Sequence, residues 1–321
     1  MVKKLVAAAL VVASLAAAGC SSAKDDGKVT IGITQIVVHD ALDAARKGFL
    51  DALKEGGYEE GKNLVVDYKN AQGDPQTAQS IAKDFVTNKV DIIFAIATPT
   101  AQAAYNSTKE IPIVITAVTD PVDAGIAKAL DKSGTNVTGT SDDVPIGPQL
   151  DLIVKIMPTV KTLGVVYNTS EANSVLQVKR LKEAAAKIGL AVEEAGVTNV
   201  NEMNQVMPVL LSKVDALYTP TDNTVASAYA LVNKLALDKK IPVFAAEDAG
   251  VTAGALLSAG IDYYQLGKEA GQKAIEVLKG KAPTDIAIST IANPTITINK
   301  ATADTLGITI PEDILKGAVI K

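Results

Sequence analysis

Lys89-Val90-Asp91-Ile92-Ile93-Phe94-Ala95-Ile96-Ala97-Thr98 and Lys213-Val214-Asp215-Ala216-Leu217-Tyr218-Thr219-Pro220-Thr221-Asp222 set the architecture of this chain. Each runs from a charged start through an apolar stretch to a polar exit, and a helix-forming segment follows. A near-continuous apolar run is what a parallel strand covered on both faces requires. A second pair follows in the same order: Ile111-Pro112-Ile113-Val114-Ile115-Thr116-Ala117 lines up with Ile241-Pro242-Val243-Phe244-Ala245-Ala246-Glu247. Two matches in one order point to a duplicated α/β unit.

Around these stretches, strand and helix patterns alternate. In the first half, strands are read over 29–33, 64–68, 91–97 and 113–117, with helices over 41–55, 76–88 and 100–107. Leu42, Ala45, Phe49, Leu50 and Leu53 recur near helical spacing, and Gly56-Gly57 stops that helix. Asp74 is placed to cap the next helix, with Pro75 at its first position. In the second half, strands are read over 163–167, 191–195, 215–218 and 243–246, with helices over 171–188, 200–211 and 224–237. Alternation of this kind specifies doubly wound parallel sheets, one per half. Asp142, Pro145, Gly147 and Pro148 break both patterns, so the hinge between the lobes is expected near Thr140–Gln149. A helix over 265–279 then returns to the first lobe, and a strand over 296–298 belongs to the second. The expected division is an N-terminal lobe of residues 29–140 plus 260–281 and a C-terminal lobe of 141–259 plus 282–321, joined by a hinge of several strands.

Ahead of the lobes lies a leader. Lys3 and Lys4 precede an apolar zone from Leu5 to Leu15, then Ala16-Ala17-Ala18-Gly19-Cys20. Charged, apolar and small-residue zones in that order make a signal peptide over residues 1–19. The apolar zone falls short of the roughly 20 residues a membrane-spanning helix needs. Its ending resembles a bacterial lipobox, in which the cysteine thiol takes a diacylglycerol and becomes the mature N-terminus. Cys20 is the sole cysteine, so it is read as the lipid anchor on the extracytoplasmic face of the cell membrane, with residues 20–28 as a polar tether. With no second cysteine there is no disulfide, and the exported lobes must be stabilised by their cores.

The formal charge of −5 loses two lysines with the leader and becomes more acidic. An acidic, evenly mixed surface excludes nucleic acid, which needs clustered Lys and Arg. His39 is the single histidine, and one histidine with no second cysteine excludes an ordinary metal site. No Gly-x-Ser-x-Gly elbow occurs, and the first strand leaves through Thr34-Gln35-Ile36-Val37-Val38 without a phosphate-binding glycine loop. The chain therefore reads as a binder with no cofactor and no catalytic role.

In open α/β sheets ligands sit beyond the carboxyl ends of the strands, so two facing lobes enclose a cleft there. Those ends carry Gln35, His39, Asn70, Thr98, Ala117, Thr119 and Asp120 in the first lobe, and Asn168, Asn173, Asp222, Glu247 and Asp248 in the second. Thr98, where a strand enters a helix, favours an anion such as a carboxylate. Asp222 and Glu247 favour a cation. Opposed walls of this kind suit an amino acid zwitterion. Asp222 is equally placed to cap the helix that follows it.

At this point the chain is identified as resembling the type I substrate-binding proteins of ABC importers, in the group of tryptophan and aromatic amino acid binding lipoproteins. The resemblance is carried by Ile33–His39, Phe94–Pro99, Thr116–Val122, Asn136–Asp142, Pro220–Ser227 and Gly260–Tyr264. It implies a monomeric receptor that delivers solute to a membrane permease and, through it, to an ATPase. It also implies Thr98 with Ala117–Thr119 on the ligand carboxylate and the Asp222 or Glu247 region on the ammonium. The side-chain pocket is expected from Gln35, Ile36, His39, Ser141 and Asn173. The same fold would serve a receptor for a sugar or nucleoside, which four percent aromatic content and absent Trp disfavour, or a sensor coupled to a membrane signalling protein.

Overall fold

Apolar strands flanked by amphipathic helices can bury both sheet faces only by winding helices over each side, and the chain does this twice. The computed structural model describes residues 27–290 and 294–321, so the leader, Cys20 and most of the tether lie outside the described residues. The first half runs β1 (Val29–Gln35), α1 (Asp40–Glu55), β2 (Leu64–Asn70), α2 (Pro75–Thr87), β3 (Ile92–Ile96), α3 (Thr98–Ser107), β4 (Ile113–Val118) and β5 (Val137–Ser141). Then follow α4 (Ile146–Ile156), β6 (Thr162–Asn168), α5 (Ala172–Lys187), β7 (Ala191–Val197), α6 (Met203–Leu211) and β8 (Ala216–Thr219). The chain continues through α7 (Asn223–Ser227), α8 (Tyr229–Asp238), β9 (Val243–Ala245), α9 (Asp248–Thr252), β10 (Leu257–Gly260) and α10 (Tyr263–Leu278). It ends with β11 (Thr295–Ile298), α11 (Lys300–Leu306), α12 (Glu312–Leu315) and β12 (Val319–Ile320).

The first sheet has the order β2-β1-β3-β4-β5 and is parallel throughout. The second has the order β12-β11-β10-β9-β8-β6-β7, parallel except where β11 meets β10. Strands β1-β3-β4 and β6-β8-β9 hold equivalent places, as the sequence repeat requires. Ile92, Ile93, Phe94 and Ile96 of β3 are fully buried, in keeping with an apolar run under helices on both faces.

Helix α10 lies on α1 of the first lobe at glycine-limited distance. A Cβ on Gly267 would stand 1.8 Å from the Ala45 carbonyl oxygen, and one on Gly48 would stand 2.0 Å from that of Tyr264. No larger residue fits either place without moving a helix.

Three details depart from the sequence reading. The stretch Thr140–Gln149, where the hinge is expected, holds the end of β5 and the start of α4, leaving only residues 142–145 as the link. Gly147 and Pro148 sit in the first turn of α4, where amides have no intrahelical acceptor and proline is tolerated. The return to the second lobe, expected at residue 282, comes later. Ile286 and Ile288 belong to the first lobe's core, and Ser289 bonds along β5 through Ser141 N (2.8 Å). The helix expected over 200–211 opens with a 3₁₀ turn at Val200–Glu202, and the one expected over 224–237 is interrupted at Ala228.

Candidate functional site

The carboxyl ends of β1, β3 and β4 meet those of β6, β8 and β9 across a cleft that is drawn shut. Gln177 Nε2 of α5 donates to Thr119 Oγ1 at 3.0 Å, and the Thr119 and Thr221 hydroxyls stand 3.3 Å apart. Arg180 donates to Asp120 Oδ2 at 2.6 Å and to Asp143 at 3.0 Å. His39 at the head of α1 lies beside Asn223 at the head of α7.

Several buried polar atoms in this closed cleft have no hydrogen-bond partner: Thr98 Oγ1, both ring nitrogens of His39, Asp142 Oδ1, Asn173 Oδ1, Thr219 Oγ1 and Glu247 Oε2. A buried polar group without a partner is costly, of order 1–3 kcal/mol, so a cluster of them makes this cleft the candidate site for a polar ligand.

On the first wall, Thr98 opens α3, whose N-cap, Ala97, supplies no side-chain cap. Pro99 brings no amide, and the Thr100 hydroxyl turns back onto the Ile96 carbonyl at 2.7 Å. The first-turn dipoles and the Thr98 hydroxyl are thereby left for an anion. Ala97 (φ 84°) and Ala117 (φ 56°), at the ends of β3 and β4, hold left-handed conformations that alanine disfavours. At Ala117 the β4–β5 register also shifts, between Ile115 and Val118. Strain at two neighbouring strand ends is consistent with a backbone shaped for a ligand.

On the second wall, Glu247 is 2% exposed at the head of α9. Its Oε1 accepts from the Tyr229 hydroxyl at 3.0 Å and its Oε2 has nothing. Burial, with Asp142, Asp222 and Asp248 nearby, pushes its carboxyl up to about 8. Asp142 is similarly placed on the link between lobes: Oδ2 accepts from the Tyr263 hydroxyl at 2.9 Å, Oδ1 is unpartnered, and burial pushes the carboxyl up to about 6. Glu171 and Asp222 complete a group of four buried acids. Burial, then the charge of Asp222, pushes Glu171 up to about 7, and burial raises Asp222. Among the described residues no lysine or arginine forms an ion pair with any of the four. No group of His, Cys, Asp or Glu among the described residues is arranged to hold a metal ion.

The candidates read from the sequence divide accordingly. Thr98, His39, Asn173 and Glu247 have buried atoms to offer. His39 is held neutral, burial lowering its pKa to about 4. Asp222 does not: Oδ1 caps α7 at Val225 N (2.8 Å) and Oδ2 accepts from Asn168 N (2.6 Å), so the capping alternative is the observed one. Asp120 accepts from Val122 N and Asp123 N at 3.0 Å and holds Arg180, making it a fastening rather than a ligand contact. Gln35 is consumed within its own lobe by Val37 O, Asp43 and Arg46, each at 2.9 Å. Ser141 donates to Thr119 O at 2.7 Å, and the Thr119 hydroxyl is engaged by Gln177. Asp142, Glu171, Thr219, Tyr229 and Tyr263 were not among the expected site residues. Of these, Asp142 and Tyr263 lie in stretches that carried the family resemblance, a signal the sequence reading did not use.

A tyrosine-binding protein of Clostridioides difficile (strain R20291) is 48% identical over 293 residues, covering 89% of this chain and 85% of the relative. The structure of an ABC domain in complex with L-Trp from Streptococcus pneumonia superposes with a TM-score of 0.88 at 40% identity, covering 91% of this chain and 99% of the other. The ligand-free, open structure of a substrate-binding protein with adhesive properties from Clostridium difficile is 48% identical over 91% of this chain and 99% of its own, yet its TM-score is 0.69. The less identical, L-Trp-bound protein is the better match in shape, as a closed cleft requires. Family-level matching covers residues 30–320, and with it the two-lobed fold of parallel sheets and the shut cleft place the chain: it belongs to the ABC transporter substrate binding protein family, receptors that bind small molecules outside the cytoplasm.

Proposed function

We propose that this chain is the receptor of an ABC importer for an aromatic α-amino acid, tethered to the membrane through lipid on Cys20 and handing its ligand to a permease and ATPase. The observation that carries the ligand class is the pair of opposite unmet demands in the cleft. Thr98 and the uncapped start of α3 call for an anion, and Glu247 Oε2, buried with no cation beside it, calls for an ammonium. A zwitterion answers both. The aromatic side chain is supported by the tyrosine-binding relative and the L-Trp complex. The leader and the Leu-Ala-Ala-Ala-Gly-Cys ending support export and lipidation.

A thermal-shift screen of the mature protein against L-Tyr, L-Trp, L-Phe, L-Leu and D-glucose tests this. Ligand at about 100 times its dissociation constant adds about 2.7 kcal/mol, several degrees in Tm, and the aromatic amino acids should give the largest shifts. A shift with glucose and none with any amino acid overturns the reading.

A further inference from the structure

We infer that Asp142 is a second ligand for the ammonium, so that the group is held between a carboxylate of the second lobe and one of the hinge. This rests on the amino acid reading above.

The two acids are built alike. Each has one oxygen held by a tyrosine hydroxyl, Asp142 Oδ2 by Tyr263 at 2.9 Å and Glu247 Oε1 by Tyr229 at 3.0 Å. Each leaves its other oxygen buried and unpartnered. A carboxylate oriented by one hydrogen bond presents its free oxygen in a fixed direction. The two carboxyls and two phenols form one electrostatic group: Glu247 feels Asp142, and Tyr263 feels Asp142, Glu247 and Tyr229. A third buried acceptor, Thr219 Oγ1, belongs to the same group, since it lies beside the Tyr229 hydroxyl. An ammonium has three N–H donors and no acceptor. Three buried acceptors, two of them carboxylate oxygens, match that count. A neutral sugar or a carboxylic acid brings no charge to offset ionisation of the pair, so Glu247 would keep its proton.

Position gives Asp142 a role that Glu247 lacks. It lies on the link from β5 to α4, and Tyr263 begins α10 just after the chain crosses back from β10. Their bond ties two interlobe crossings together 121 residues apart. A ligand held by Asp142 thus touches the hinge itself, and the amino group becomes the part of the ligand that reports occupancy to the closing movement.

The test is calorimetric titration of mature wild type, Asp142→Asn and Glu247→Gln with the aromatic amino acid that binds wild type best and with its des-amino analogue. Asp142→Asn should lower affinity for the amino acid about tenfold or more, while the weak binding of the des-amino analogue stays within about twofold of wild type. An Asp142→Asn protein that binds the amino acid within about twofold of wild type overturns the inference and leaves the function standing. Wild type that binds no amino acid overturns the function itself. Should Asp142→Asn fail to fold, wild type crystallised with the amino acid decides: the ligand nitrogen within about 3.2 Å of both Asp142 Oδ1 and Glu247 Oε2 supports the site, and a nitrogen more than about 4 Å from Asp142 removes it.

Discussion

Asp222 and Glu247 are buried acids at neighbouring strand ends of the second lobe, yet only Glu247 has an oxygen to offer. Both oxygens of Asp222 accept backbone amides, joining the end of β6 to the first turn of α7. Their substitution should therefore separate two measurements. Glu247→Gln removes the charge opposite a buried ammonium, a loss of about 3 kcal/mol or more, and titration should show affinity falling about 100-fold with little change in the ligand-free Tm. Asp222→Ala removes a cap worth about 1–2 kcal/mol, so the ligand-free Tm should fall by several degrees. Equal losses of affinity with no loss of Tm would show Asp222 to be a ligand contact after all. Residue identity at a strand end was legible in the sequence because the repeat aligned Thr98 with Asp222 and Ala117 with Glu247. Which of those residues had its hydrogen bonds already filled was not legible. Gln35 is occupied by Asp43 and Arg46, and Asp142 is half-occupied by Tyr263; such pairings exist only once the chain has folded.

At the scale of the element, α5 is the fastening of the closed state. Asn173, Gln177 and Arg180 lie four and three residues apart on one face, the spacing that brings side chains together on a helix. From that face Gln177 reaches Thr119 and Arg180 reaches Asp120, both beyond the end of β4 in the other lobe. Arg180 is partly exposed, at 34% of its side chain, so its pairs are worth no more than about 1 kcal/mol each. Arg180→Ala should weaken ligand binding by roughly 3- to 10-fold, nearly all of it as faster dissociation in stopped-flow measurement, because the latch forms after the ligand has entered. A slower association with unchanged dissociation would place Arg180 in capture instead. Of this face only Asn173 was legible from the sequence: α5 was readable as a helix from its apolar period, but Gln177 and Arg180 look like any solvated stripe until the other lobe is set against them. The reverse error occurred at α4. Pro145, Gly147 and Pro148 read as breakers, whereas their places before and within a first helical turn make them compatible with a helix start.

Across the whole molecule, the buried acids make stability and binding depend on pH with opposite signs. Burial raises Glu171 to about 7 and Glu247 to about 8 from ordinary values of 4.5, so the folded protein keeps protons that the unfolded chain releases. Stability from this source is fully present below about pH 4.5 and is lost as pH rises through the folded values. His39 acts in the other direction, because its pKa is lowered from 6.5 to about 4, but its contribution is complete above about pH 6.5. Between about pH 6.5 and 8 the acids act alone, and the Tm of the ligand-free protein should fall. An amino acid ammonium favours the ionised form of Glu247, so binding releases protons and affinity should rise across the same interval. Thermal melts at half-unit steps should therefore show the ligand-free Tm descending while the ligand-induced shift grows. Titration near pH 7 in two buffers of different ionisation enthalpy should give different apparent binding enthalpies, the difference reporting the released proton. Glu247→Gln should weaken both effects, since it removes the group that titrates highest. Affinity that stays level across the interval, with no buffer dependence, would mean that the ammonium does not meet Glu247 in the closed cleft.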